Sequence, residues 1–132
     1  MARVIEEKII DRIRTWKDGE YSLSVRDRVE IKGDRAIYYL WQSPIVTVYK
    51  EADGKKTICF SFCGYASQTT KERISELLWE FLGCYIFRKN WIHYLKMGND
   101  YYRINEDKCY TVKNGILLDS IGKVEALKDF KY

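Results

Sequence analysis

The chain has 132 residues, 46% of them hydrophobic, with one Pro and eight Gly. That composition supports one packed domain over residues 1–132 and excludes a disordered or low-complexity polypeptide. The 23 Lys and Arg against 19 Asp and Glu leave a net charge of +4, which permits nucleic-acid binding without demanding it.

Val4, Ile5, Ile9, Ile13 and Trp16 recur at helical spacing among charged residues, which predicts a first helix over about 2–17 with Gly19 as its stop. Tyr21, Leu23 and Val25 alternate with Ser22 and Ser24 as in a short strand. Val29 and Ile31 then pair, through a Lys32-Gly33-Asp34 turn, with the apolar run Ala36 to Trp41. Ser43-Pro44 breaks that run. Ile45 to Tyr49 forms the next strand, and Asp53-Gly54 turns it back along Thr57 to Cys63. Ile58, Phe60 and Phe62 share the expected core face of this return strand.

Thr69-Thr70-Lys71-Glu72 fits a capping box, and Ile74, Leu77, Leu78, Phe81 and Leu82 form one apolar stripe ending at Gly83. A second helix over about 69–82 follows. Beyond it, Cys84 to Lys89 and Trp91 to Lys96 read as aromatic strands, followed by a Gly98-Asn99 turn. Tyr101 to Ile104 and Cys109 to Val112 continue the pattern, and Asn114-Gly115 leads into Ile116 to Leu118. Ile121, Val124 and Leu127 suggest a short terminal helix within 120–130. The fold expected from these elements is α+β. A strongly curved antiparallel sheet of five to seven strands packs one face on the second helix, with the first helix at an edge or on the same face. An edge strand left open would allow homodimerisation.

The charged N-terminus lacks a secretory apolar run, and no apolar stretch reaches the length of a membrane span, so a soluble, cytoplasmic protein without a membrane partner is expected. Cys59, Cys63, Cys84 and Cys109 are then read as small buried thiols, since a disulfide framework needs an oxidising compartment. A zinc site is disfavoured: strand residues four apart lie roughly 13 Å from each other, whereas one zinc holds its sulfurs at about 2.3 Å.

The stretch Tyr39-Leu40-Trp41-Gln42-Ser43-Pro44-Ile45-Val46, the Asp53-Gly54 turn, Cys63-Gly64-Tyr65, Thr69-Thr70-Lys71-Glu72-Arg73-Ile74, the strand bearing Trp91 and the late Lys113-Asn114-Gly115 occur in that order. This layout resembles a small domain found in bacteriophage genomes and related mobile elements. Its pattern is a Gly-aromatic pair, a Thr-Thr-Lys-x-Arg-Ile helix start, an aromatic strand and a closing Asp-Gly. The resemblance covers about residues 29–118. Cys63-Gly64 stands where Gly-Gly is common, and Asn114 stands where Asp is usual. It implies a viral or mobile-element origin and action in the bacterial cytoplasm. Small accessory phage proteins commonly bind host machinery, immune effectors included.

Catalysis is hard to assemble. His93 is the sole histidine, so any triad must use it, and on a strand it shares a face with Trp91 and Leu95 as a half-buried, hydrogen-bonded ring. No glycine-rich phosphate loop is present, and the pairs Glu6-Glu7 and Glu106-Asp107 read as solvated charge. No enzyme activity, cofactor or metal is expected. Binding has better material. No acidic residue lies between Glu80 and Asp100, and that gap interleaves Arg88, Lys89 and Lys96 with Trp91 and Tyr94. Lys71 and Arg73 add charge at the second helix's first turn. These seven residues are the candidate binding site. A host protein or ribonucleoprotein complex, for example a CRISPR effector to be inhibited, is the expected partner. Single-stranded DNA or RNA is the alternative.

Overall fold

The computed structural model describes residues 4–131. Two helices and ten strands follow one another among them: α1 (Val4–Thr15), β1 (Gly19–Ser22), β2 (Asp27–Lys32), β3 (Arg35–Leu40), β4 (Ser43–Lys50), β5 (Lys56–Ser61), α2 (Gln68–Leu82), β6 (Tyr85–Lys89), β7 (Ile92–Met97), β8 (Asp100–Ile104), β9 (Cys109–Lys113) and β10 (Ile116–Leu118). The start of the predicted first helix, at Ala2 and Arg3, lies outside the described residues.

The strands form two antiparallel sheets, a large one of order β1-β2-β3-β4-β5-β9-β10 and a small one of order β6-β7-β8. The single sheet of five to seven strands expected from the sequence is therefore corrected. The reason lies in β9, which takes the open edge of β5 in register Ile58↔Val112 and Phe60↔Tyr110. With that edge occupied, β6, β7 and β8 pair with one another instead. Residues 62–108 thus make an excursion between two neighbouring strands of the large sheet. One apolar core joins the layers: Ile9 and Ile13 of α1, Val29, Tyr38, Val48 and Phe60 of the large sheet, Ile74, Leu77 and Leu78 of α2, and Ile86, Leu95 and Ile104 of the small sheet.

Several local details depart from the sequence reading. The first helix ends at Thr15 rather than near Gly19, because Trp16 turns left-handed (φ 49°) and its indole donates to the Gly33 carbonyl at 2.8 Å. Gly19 instead opens β1. Pro44 lies inside β4, not in a break before it. The cap of α2 is Ser67, whose hydroxyl accepts from the Thr70 N–H at 3.1 Å, so the helix starts ahead of the Thr69-Thr70 pair. Glu72 accepts from the Gln68 side chain at 2.9 Å. Gly83 closes the helix in left-handed geometry (φ 71°) as its position predicts.

The predicted terminal helix at 120–130 does not form. The Asp119 carboxylate accepts from the Ile121 and Gly122 N–H groups at 2.9 and 3.1 Å, and the chain folds back through the bridge Leu118↔Lys123. Ile121, which would have lain on an apolar helix face, is 90% exposed.

The core also holds charge. Arg73 of α2 is 1% exposed; its guanidinium pairs with Glu6 of α1 and, through Nε, donates to Asp27 of β2 at 2.9 Å and to the Tyr38 hydroxyl of β3 at 3.1 Å. Tyr38 and Asp27 are themselves hydrogen-bonded, and burial followed by that bond pushes the phenol far above its usual range. Two expectations are corrected here. Glu6 is not solvated charge, and Arg73 is not a surface binding residue. Both are withdrawn from solvent because each supplies the other's counter-charge.

Candidate functional site

The small sheet has two unlike faces. Ile86, His93, Leu95, Tyr102 and Ile104 are buried toward the core. Cross-strand pairing places Phe87 opposite Tyr94 and Lys96 opposite Tyr101 on the other face, with Lys89 further along β6. Phe87 and Tyr94 stack at 5.5 Å between centroids, and Tyr101 meets Phe87 edge-on at 6.0 Å. Lys96 sits over the Tyr101 ring at 5.8 Å. The acid-free stretch of the sequence therefore does build one aromatic-basic face from Lys89, Tyr94 and Lys96. The C-terminal segment lies across it.

Arg88 and Trp91 stand elsewhere, at the tip of the β6–β7 hairpin. Asn90 and Trp91 are its two turn residues, both left-handed (φ 53° and 67°). Trp91 is consequently lifted off the strand and 85% exposed, with the Arg88 guanidinium 4.9 Å from its ring centroid. Trp91 thus does not share a face with His93 and Leu95. A bulky residue at positive φ is an outlier, because its Cβ crowds the backbone. Lys71, on α2, is half-buried.

His93 lies on the core face of the small sheet, across from Arg88. It is buried, and its ring meets Phe62 edge-on at 4.7 Å. Burial lowers its pKa from the usual 6.5, and the charges of Arg88 and Lys71 lower it further against the opposing pull of Glu106. Arg73 drops out, sequestered in the core.

A second region was not singled out from the sequence. An open cleft of about 770 Å³ is lined by Arg26, Trp41, Gln42, Tyr65, Ser67 and Thr69, among others. Trp41, at φ 57°, is the first residue of the β3–β4 turn, and Cys63, at φ 52°, starts the loop to α2. Trp41 and Tyr65 are both mostly exposed. The available signal was the quoted Cys63-Gly64-Tyr65, which reads as loop grammar until the fold places it beside Trp41.

The cysteines divide by burial. Only Cys84 is buried, and that burial raises its thiol to about 11. Cys59 is intermediate, while Cys63 and Cys109 are exposed, which corrects the expectation of four buried thiols. Among the described residues no group of three or more His, Cys, Asp or Glu is placed to hold a metal ion. No described helix is long and apolar enough to cross a membrane.

A protein-family model described as Kyanoviridae Gp96 protein matches residues 2–116. No curated protein and no solved structure matches the chain.

Proposed function

We propose that this chain, which belongs to the Kyanoviridae Gp96 protein family and is therefore a phage protein, is a non-catalytic accessory protein that occupies a surface on a host protein or ribonucleoprotein complex. The observation that carries this reading is the tip of the β6–β7 hairpin. There an indole 85% exposed is held on left-handed backbone with an arginine stacked over it. Such a conformation costs a non-glycine residue of order 1–3 kcal/mol. An exposed ring returns little of that by burial, its contact with Arg88 being an exposed cation–π pair. Trp and Arg are the side chains that dominate binding hot spots, and a tight turn presents them already ordered.

The specific form favoured by the phage origin is inhibition of a bacterial defence complex, such as a CRISPR effector, in the host cytoplasm. The residues in play are Arg88 and Trp91, then Lys89, Tyr94 and Lys96, with Lys71 on α2. The non-catalytic reading draws on His93, the sole histidine, being buried with its ring against Phe62.

The second reading, binding of single-stranded DNA or RNA, is favoured by the alternation of Lys89, Tyr94, Lys96 and Tyr101 on one sheet face. A salt titration separates the two. Phosphate contacts weaken steeply with salt, whereas a packed protein interface responds little. Retention of a host protein from nuclease-treated lysate, lost when Arg88→Glu and Lys89→Glu are combined, is the expected result. Unchanged retention by that variant would remove this surface from the account.

A further inference from the structure

We propose that the outer face of the small sheet is a docking site for an aromatic residue of a protein partner, and that the chain's own Phe130 fills it until the partner takes its place. This rests on the contact reading above and names the partner's chemistry at one part of that surface.

The occupant shows what the face recognises. The Phe130 ring lies 4.6 Å from Tyr94, 4.7 Å from Tyr101 and 6.2 Å from Phe87, centroid to centroid. Lys89 Nζ sits 5.5 Å from the same ring and also donates to the main-chain carbonyl of Lys131 at 2.5 Å. Two features are therefore read together, an aromatic ring and the carbonyl of the residue after it. The occupant seated there is a peptide segment, and both features come from it. Phe87 is only 8% exposed although it points away from the core, so the seated ring and its neighbours close the site.

The segment that delivers Phe130 is held by a few backbone hydrogen bonds rather than by regular structure. Beyond β10 the described chain has no helix and no strand, only the bridge Leu118↔Lys123. Val124 donates its N–H to Leu117 and Leu127 donates to Tyr101, at 2.9 and 2.8 Å. Asp129, next to the seated ring, is left-handed at φ 57°. The residues of the aromatic face lie within the stretch matched by the family model, residues 2–116. A tethered plug of this kind competes at an effective concentration on the order of millimolar. A partner segment of moderate affinity can displace it, and a weak one cannot.

The test uses the full chain and a fluorescent hexapeptide, Ala-Leu-Lys-Asp-Phe-Lys, copying residues 126–131. Two variants vacate the site by different routes. Phe130→Ala removes the ring. Asp129→Pro forbids the positive φ and swings the ring away without touching the sheet, which guards against a packing defect in the first variant. By fluorescence polarisation both variants are expected to bind the peptide at least tenfold more tightly than the unaltered chain. Adding Tyr94→Ser to Phe130→Ala is expected to abolish binding, and oligothymidylate should fail to compete. Peptide binding that is equal in all chains, or absent from both vacated variants, would overturn the proposal. Displacement of the peptide by oligothymidylate would overturn it as well, by making the face a nucleic-acid site. Failure here with host-protein retention still dependent on Trp91 would leave the contact reading standing. Peptide binding without any host-protein retention would do the reverse.

Discussion

Arg73 carries one positive charge into the core, where Glu6 and Asp27 bring two negative ones from α1 and β2. Removing the cation leaves both carboxylates buried without it. Arg73→Ala is therefore expected to lower stability by about 3–5 kcal/mol, measured as the urea midpoint at constant slope. Helical spacing held the clue to this burial. Thr70, Arg73, Ile74 and Leu77 form one stripe at steps of three and four, and all are buried. A basic residue at a helix start is ordinarily solvated, and nothing in the sequence announces that two carboxylates from distant strands and helices await it. At His93 the same logic of burial predicts a pH effect. The folded state resists protonation, so the unfolded state binds more protons as pH falls below about 6.5, and stability declines there while remaining flat above. His93→Gln is expected to remove that part of the slope in thermal melts at pH 5 to 8. Thiol chemistry gives a third check. Cys63 and Cys109 should react with a disulfide reagent at once and Cys84 only on unfolding, because burial keeps the Cys84 thiol protonated.

Helices and hairpins differ in how openly they are written. The α2 stripe, its Gly83 stop and the turns at Asp53-Gly54 and Asn114-Gly115 were legible because each uses the residue its backbone needs. The turn at Asn90-Trp91 was not, because a tryptophan occupies the position that glycine would normally take. Trp91→Gly is thus expected to raise stability by about 1 kcal/mol while removing the exposed ring, read as a higher Tm. The terminal segment was misread for a related reason. Its apolar spacing fits a helix, yet the Asp119 side chain claims the first two N–H groups after Ser120 and starts a turn instead. One further contact explains why the small sheet lies against α2. Ser75 donates to the Ile86 carbonyl at 3.2 Å and accepts from the Ile86 N–H at 3.0 Å, satisfying the outer edge of β6. Ser75→Ala leaves both backbone groups without that partner and should cost about 1–3 kcal/mol in urea unfolding.

At the scale of the whole molecule, the α+β class was legible and the division into two sheets was not. That division depends on β9 finding β5 across nearly fifty residues, a long-range pairing that local patterns do not encode. Its consequence is functional geometry. The excursion between β5 and β9 carries the hairpin tip, the aromatic-basic face and the imidazole, while the large sheet supplies a fixed base. The sequence reading grouped Arg88, Lys89, Trp91, Tyr94 and Lys96 in one acid-free stretch, and the fold carries that stretch on β6, β7 and the turn between them. That reading could not separate Trp91 at the tip from Tyr94 and Lys96 on the face, because that separation is set by two left-handed residues. The most direct test is a side-by-side capture from nuclease-treated host lysate, using the unaltered chain and Trp91→Gly with their melting temperatures recorded. The account predicts a host protein or complex retained by the first and lost by the second, with the second at least as stable. Equal retention by the two chains, or no retention once nucleic acid is digested, would contradict it.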